Sequence, residues 1–166
     1  MTSSFLPITH AEALERGWEQ LDFVYIIGDA YVDHPSFGAA IISRVIESLG
    51  FSIGIISQPV ADRDYMEFGK PRYAFLVTGG NIDSMVAHYT AAKKRRTQDL
   101  YSPGSRMGLR PDRPTIVYAN RCREAFDRIC AREGASYDVV VNVQGDEPFI
   151  QRSQLEAVKC CFDRPG

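Results

Sequence analysis

The stretch FVYIIGDAYVDHPSFGAAIISRVIESLGFSIG at residues 23–54 decides the fold that the sequence predicts. Its first five residues form a continuous apolar run closed by Gly28 and Asp29, which is the pattern of a buried strand followed by a turn. Apolar residues then recur at helical spacing as far as Gly50, and a second, alternating strand starts at Phe51. Strand, helix and strand in this order predict a parallel β-α-β unit, in which ligands bind where the strands end.

The rest of the chain continues this alternation. Further apolar runs lie at 73–77 and 139–143, with helical patterns between and after them. The long helix between these two runs is predicted to be capped by Asp112 or Thr115. The sequence therefore predicts a three-layer, Rossmann-like α/β fold. Its parallel sheet has about four strands, and helices cover both faces.

Two segments of this pattern allow more than one interpretation. The helix after the third strand is expected to end in the basic run KKRR at 93–96. Cations at a helix C-terminus complement its dipole, which favours a solvated helix end, with contact to an anion as the alternative. Residues 97–114 are rich in proline and glycine and form a long loop, a feature typical of functional or mobile segments.

Composition excludes several classes of protein. The chain has 166 residues, of which 45% are hydrophobic and 24% charged, as in ordinary single-domain globular proteins. Its net charge of -2 gives no argument for nucleic acid or for an anionic membrane as a partner. No apolar run suits a membrane span, and the N-terminus lacks the pattern of a signal peptide. We therefore predict a cytoplasmic protein with no membrane partner.

The four cysteines all lie in the last part of the chain, at Cys122, Cys130, Cys160 and Cys161. They form no C-x-x-C pair and have no spacing that indicates zinc. We interpret them as reduced thiols packed on helices.

Residues from about 5 to 121 resemble the N-terminal region of YgiQ-type radical S-adenosylmethionine (SAM) proteins. The motifs that carry the resemblance are GDAYVDHPSFG at 28–38, GFSIGIISQP at 50–59, GNIDSM at 80–85, YTAAKKRR at 89–96 and RPDRPTIVY at 110–118. The resemblance implies a Rossmann-like domain of the cobalamin-binding type that precedes the radical domain.

The chemistry of that family depends on a C-x-x-x-C-x-x-C loop. Its three thiolates hold a [4Fe–4S] cluster and leave one iron free for SAM. This motif is absent from the 166 residues. We therefore expect [4Fe–4S] and SAM only at the level of the family, and no radical catalysis by this chain alone.

A second resemblance covers residues from about 121 to 165. The segments RCREAF, YDVVVNVQGDEPFI at 137–150 and QLEAVKCCFD at 154–163 look like 3-deoxy-manno-octulosonate (KDO) cytidylyltransferase. That family would place Gln144 near the sugar substrate and Asp146 on Mg²⁺, since a hard cation takes carboxylate oxygens. The family's P-A-R-x-x-S-x-R nucleotide loop and its G-T-D motif are missing here.

The two resemblances together predict a chimera. A radical SAM N-terminal-like domain would occupy residues 1–120, and a cytidylyltransferase-like segment at 121–166 would continue the same sheet. Both active sites would then be incomplete. A cytidylyltransferase-related enzyme and a non-functional hybrid are the alternatives.

The predicted site lies in the loops that follow the first and third strands, where an unknown small molecule is expected to bind. The candidate residues are Asp29, Asp33, His34, Gly79, Gly80 and Asn81. The base-off cobalamin motif D-x-H-x-x-G fails by one residue, because His34 directly follows Asp33. A structural His34 is therefore favoured, with cobalt ligation or another ligand role as alternatives.

Two further features leave alternatives open. The loop at 78–81 is either a tight turn or a place where backbone N–H groups receive an anion. Asp146 and Glu147 form either a solvated turn or a weak metal site. An unpaired edge of the predicted sheet would also allow the chain to associate with itself.

Overall fold

The structure is a computed structural model that describes residues 5–133, 141–142 and 153. Four parallel strands form one sheet in the order β2-β1-β3-β4. The strands are β1 (Phe23–Ile27), β2 (Ile53–Ser57), β3 (Ala74–Thr78) and β4 (Val141–Asn142). The predicted parallel α/β sheet is confirmed.

Helices cover both faces of this sheet. They are α1 (His10–Glu15), α2 (Gly38–Ser48), α3 (Ser84–His88) and α4 (Pro114–Glu133), with a 3-10 turn at Asp62–Met66. On one face, Ile42 and Ile46 of α2 pack against alternate residues of the strands. On the other face, Tyr118 and Cys122 of α4 pack against the intervening residues. None of the helices in the described residues is both long and apolar enough to span a membrane.

The order of the strands creates a crevice at one edge of the sheet. The chain passes from β1 to β2 on one side and then crosses to β3 on the other side of β1. Helices on opposite faces then leave a gap between the carboxyl ends of β1 and β3, which is where open α/β sheets bind ligands. The predicted site residues follow these two strands.

The N-terminal arm covers part of the β2 edge. Thr9 caps α1, and Thr9 and Glu12 form a capping box. The carbonyl of Pro7, just before this cap, accepts a hydrogen bond of 2.9 Å from the N–H of Ile55. The β2 edge is therefore partly paired, and self-association through an open edge stays a prediction.

The helix predicted as far as the basic run ends at His88, so this prediction is wrong. Residues 89–96 fold back, because Tyr89 forms an antiparallel bridge with Arg95 and the Arg96 N–H donates to the His88 carbonyl at 2.7 Å. Lys93 lies in the turn with φ of 59°. The basic run therefore belongs to a hairpin-like turn and not to a helix end, and we call residues 89–96 the basic hairpin.

The start of α4 also differs from the prediction. Neither Asp112 nor Thr115 is its cap, because the Asp112 carboxylate accepts hydrogen bonds from His88 and Tyr89, and Thr115 lies inside the helix. Pro114 is the first helical residue, a position that suits its fixed φ and its missing N–H.

The part of the chain after α4 is described only in β4 and at Ser153. β4 extends the sheet beside β3. The predicted site residues Gln144 and Asp146 lie outside the described residues.

Candidate functional site at the carboxyl ends of the strands

Asp29 and the loop after β3 meet at the crevice. The Asp29 carboxylate, only 3% exposed, accepts a hydrogen bond of 2.6 Å from the backbone N–H of Asn81. The Asn81 side chain in turn accepts from the N–H of Gly38, the first residue of α2, at 3.0 Å. The structure therefore brings together the candidates from both strand ends and joins them to the start of α2.

The glycines of this edge are required by close approach. A Cβ on Gly28 would collide with the carbonyl of Gly79 on the neighbouring strand end. A Cβ on Gly80 would collide with the Asp29 carboxylate, and Gly80 also has φ of 102°, which L-residues rarely adopt. Gly79 and Gly80 thus form a tight turn that packs against the Asp29 carboxylate.

Arg110 fills the crevice between the two strand ends. Its side chain is fully buried, and Nη1 donates to Asp29 Oδ1 at 2.9 Å and to the carbonyl of Ile82 at 3.2 Å. Its Nε and Nη2 donate to the two oxygens of Asp99, at 3.2 and 2.9 Å. Such two-pronged pairing satisfies a buried guanidinium, and it places a side chain of the chain itself where a ligand would bind in related folds.

His88 continues the network away from the sheet. Its buried ring has Nδ1 2.6 Å from Asp112 Oδ1 and Nε2 3.3 Å from Asp99 Oδ2. Both ring nitrogens of His88 thus lie within hydrogen-bonding distance of a carboxylate oxygen. The hydrogen bond from His88 and a second one from the Tyr89 hydroxyl hold the pKa of Asp112 below its ordinary value.

The two buried aspartates beside Arg110 differ in acidity. Burial raises the pKa of Asp29 to about 6, against the opposing effects of the Asn81 hydrogen bond and the Arg110 charge. Burial also acts to raise the pKa of Asp99. There the N–H of Tyr101, the charge of Arg110 and further hydrogen bonds outweigh burial, and the pKa of Asp99 lies below its ordinary value. Asp99 is therefore the ionised partner of Arg110, and Asp29 is the group that titrates closer to neutral pH.

Gln58 joins the end of β2 to the same cluster. Its side-chain nitrogen donates to the Gly28 carbonyl at 2.9 Å and to the Ser102 hydroxyl at 2.7 Å. Its φ of 47° is unusual for a residue with a side chain. The ends of β1, β2 and β3 are thus tied to one another and to the segment 97–114.

Asp33 and His34 lie in the same loop as Asp29 but have other partners. The Asp33 carboxylate forms an ion pair with Arg44 of α2. Nδ1 of the exposed His34 ring accepts the N–H of Ser36 at 3.1 Å. A metal-bound imidazole is ordinarily oriented by a hydrogen-bond acceptor on its other nitrogen, and Asp33 is directed to Arg44 instead. These contacts do not fit the arrangement that holds cobalamin through a histidine.

Cys122 does not fit an iron–sulfur cluster either. Cys122 is fully buried against the sheet, and burial raises the pKa of its thiol to about 12. A cluster ligand must be a thiolate, and this environment opposes one. Across the described positions, no group of three or more His, Cys, Asp or Glu side chains has an arrangement that could hold a metal ion.

The residues that organise this edge, Arg110, Asp99 and His88, were not among the candidates from the sequence. One signal pointed toward them: an aspartate directly after a buried strand needs a cationic or hydrogen-bonding partner. The partner of Asp29 lies 81 residues further along the chain, and no local pattern fixes such a pairing.

Comparison with known proteins identifies the class of this fold. Residues 5–131 match the family model for the radical SAM N-terminal region. Because this match covers most of the chain, the chain belongs to the radical SAM N-terminal family. The predicted YgiQ-type resemblance is confirmed at this level.

The more similar relatives are UPF0313 proteins. One from Clostridium botulinum (strain 657 / Type Ba4) is 45% identical over 179 aligned residues, which cover 91% of this chain and 28% of the relative. One from Clostridium perfringens (strain SM101 / Type A) is 56% identical over 126 residues, which cover 75% of this chain and 19% of the relative. The chain thus spans less than a third of the length of these relatives. No solved structure matches it significantly.

The comparisons give no support to the cytidylyltransferase resemblance or to the chimera. The alignment with the C. botulinum relative covers 91% of the chain, so it extends past residue 121, where the two resemblances were predicted to meet. The boundary between domains at 120 and 121 stays a prediction.

Proposed function

We propose that the chain is the N-terminal accessory domain of a cytoplasmic radical SAM protein and contributes no ligand to the iron–sulfur cluster. The match over residues 5–131, in a sequence without a C-x-x-x-C-x-x-C motif, carries this proposal. In the full-length protein, a separate radical domain would hold the [4Fe–4S] cluster and SAM.

The geometry of the strand ends supports a structural role for this domain. The crevice at the carboxyl ends of β1 and β3 holds Arg110 with its two carboxylate partners, all of them buried. Such a charged cluster fixes three strand ends and a long loop in one arrangement. The domain would thereby present a rigid edge to whatever lies beside it in the longer protein.

A small-molecule partner for this edge stays a prediction of the sequence. The space that remains is a narrow cleft lined by Asp29, Val32, Phe37 and Asn81, among others. Because the polar atoms of Asp29 and Asn81 are already hydrogen-bonded within the chain, we expect no tight binding of a large cofactor.

The cytidylyltransferase reading would use Gln144 for the substrate and Asp146 for Mg²⁺. Incubating the chain with CTP, KDO and Mg²⁺ tests it through pyrophosphate release. We expect none, because the sequence lacks the family's nucleotide loop.

Anaerobic reconstitution tests the proposed function. The 166-residue chain is incubated with iron, sulfide and SAM under reducing conditions, and cluster absorption and 5′-deoxyadenosine are measured. We expect neither, because the sequence has no motif of three cysteines and Cys122 is buried.

The full-length C. botulinum relative, treated in the same way, is the control. We expect it to take up a cluster, which shows that the conditions are adequate. SAM cleavage by the 166-residue chain itself would contradict the proposal.

A further inference from the structure

An exposed groove lies beside the Arg110 cluster, on the segments that follow β3. Its apolar part includes Ile82 and Val86 near α3 and Leu100 on the long loop, and Arg95 and Arg96 of the basic hairpin line its side. Val86 is 57% exposed and Leu100 is 80% exposed. We call this surface the α3 groove.

Apolar side chains are unusually exposed at this groove. Val86 and Leu100, both large and apolar, lie exposed on a short helix and on the loop beside it, and both line the groove. Single exposed apolar residues are ordinary, but a contiguous patch with a polar rim indicates a surface that another protein covers.

Two cations, Arg95 and Arg96, line one side of the apolar patch. Residues 93–96, Lys-Lys-Arg-Arg, are all exposed, and within the described part of the chain none of the four forms an ion pair with a carboxylate. The net charge of the chain is -2, so this local excess of positive charge is not a general property of its surface.

The basic hairpin is held in place by backbone hydrogen bonds. The N–H of Thr90 donates to the Lys94 carbonyl at 2.9 Å, and the N–H of Arg96 donates to the His88 carbonyl at 2.7 Å. His88, at the base of the hairpin, is fixed by two aspartates. A cationic surface that is already ordered loses less conformational entropy when it binds.

We propose that the α3 groove binds an acidic segment with apolar side chains from the remainder of the full-length radical SAM protein. The proposal rests on the proposed function, since the aligned part is only 28% of the C. botulinum relative and the rest of such a protein would supply the covering segment. The positive rim requires a partner of opposite charge, and the apolar patch requires apolar contacts.

Nucleic acid fits this surface less well than protein. Single-stranded nucleic acids bind where basic residues accompany free aromatic faces on which bases stack. The groove has one aromatic lining residue, Tyr101, and the guanidinium of Arg110 already lies 5.8 Å from the centre of its ring.

Peptides test the proposal directly. Short overlapping peptides that tile the part of the C. botulinum relative outside the aligned region are titrated with the 166-residue chain, and binding is followed by fluorescence anisotropy. We expect binding to be confined to peptides with net negative charge and apolar side chains, and to weaken with added salt.

Two variants examine the two components of the groove. Leu100→Asp removes the most exposed apolar side chain and adds a repelling charge, and Arg95→Gln with Arg96→Gln removes two cations. Each is expected to weaken peptide binding by about tenfold or more. Leu14→Asp, at an exposed leucine on α1, is the matched control and is expected to bind as the unmodified chain does. Circular dichroism verifies that each variant is folded.

Three results would overturn the proposal: no bound peptide, peptide binding that survives both variants, or binding of single-stranded RNA in preference to every peptide. None of these results changes the outcome of the reconstitution experiment, because that experiment uses the chain without peptides. Conversely, cluster uptake by the chain would remove the proposed function but would not change the peptide data.

Discussion

Arg110 and Arg95 belong to the same connection between β3 and α4, yet their surroundings are opposite. Arg110 is fully buried and pairs with two carboxylates, whereas Arg95 is exposed and forms no ion pair with a carboxylate of the described residues. A buried cation must be paired in the fold, but an exposed cation can stay available for a partner. The two arginines therefore differ in burial and pairing and not in residue type. The Arg110 cluster holds the strand ends together, whereas the α3 groove is available to bind a partner.

The largest expected effect is at Arg110. Arg110→Met leaves Asp29 and Asp99 buried without their cation, and breaking such a pair costs about 3–5 kcal/mol of the free energy of unfolding. Urea denaturation measures this loss. Arg63→Met, at a side chain that is 91% exposed, is the control and should change stability by less than about 0.5 kcal/mol. A similar small change at Arg110 would mean that the crevice does not depend on it.

The turn around Asp29 should be the next most sensitive. Gly80→Ala introduces strain at φ of 102° and a clash with the Asp29 carboxylate, so we expect a loss of about 2–4 kcal/mol in thermal or urea unfolding. Gly50→Ala is the matched control, because Gly50 has φ of 89° but no atom near its Cβ position. Gly50→Ala should lower the free energy of unfolding only by the cost of a positive φ for alanine, about 1–2 kcal/mol. Equal losses at both sites would argue against the close contact with Asp29.

The pH dependence of the buried cluster gives an intermediate effect. The folded pKa of Asp29, about 6, is above its ordinary value of 3.8, so the folded state binds this proton more tightly. Asp29 therefore lowers stability as the pH rises from about 4 to about 6. Asp99 and Asp112 have lowered pKa values, and they lose their stabilising effect as the pH falls below the ordinary range of an aspartate.

Carbon NMR of the side-chain carboxyl groups measures these titrations. The Asp29 midpoint should lie near 6 and should move higher in Arg110→Met, because the cation that favours the ionised form is gone. Asp29→Asn is the control for the assignment, since it removes that titration. An Asp29 midpoint at or below its ordinary value would show that burial does not dominate at this carboxylate.

The smallest expected effect is at the α3 groove. Leu100→Asp should change the free energy of unfolding by less than about 0.5 kcal/mol, because the side chain is 80% exposed. Leu21→Asp, at a fully buried leucine, is the contrast and should be strongly destabilising. If Leu100→Asp cost as much as a core substitution, Leu100 would belong to the fold and the difference between the two regions would disappear.

The sequence predicted those parts of the fold that depend on local pattern. The apolar run of β1 and the alternation of strands and helices were confirmed. These features are set by hydrophobic periodicity over a few residues, which the sequence displays directly. The family resemblance of residues 5 to 121 was confirmed for the same stretch.

The parts that failed depend on contacts between distant residues. The helix after β3 stops at His88, whose side chain is bound by Asp99 and Asp112, and this tertiary anchoring outweighs the helical pattern that continues beyond it. At the site, Asp29 and Asn81 were predicted from their positions after strands. Their partner Arg110 comes from a proline-rich loop with no periodicity to interpret.

Arg110 and its partners close the crevice at the strand ends. Titration of the purified chain with hydroxocobalamin, followed by its visible absorption spectrum, measures whether a large cofactor can still enter this crevice. We predict no saturable spectral change, because the crevice is filled and Asp33 is paired with Arg44 rather than with His34. A saturable shift that is lost in His34→Ala would contradict the account.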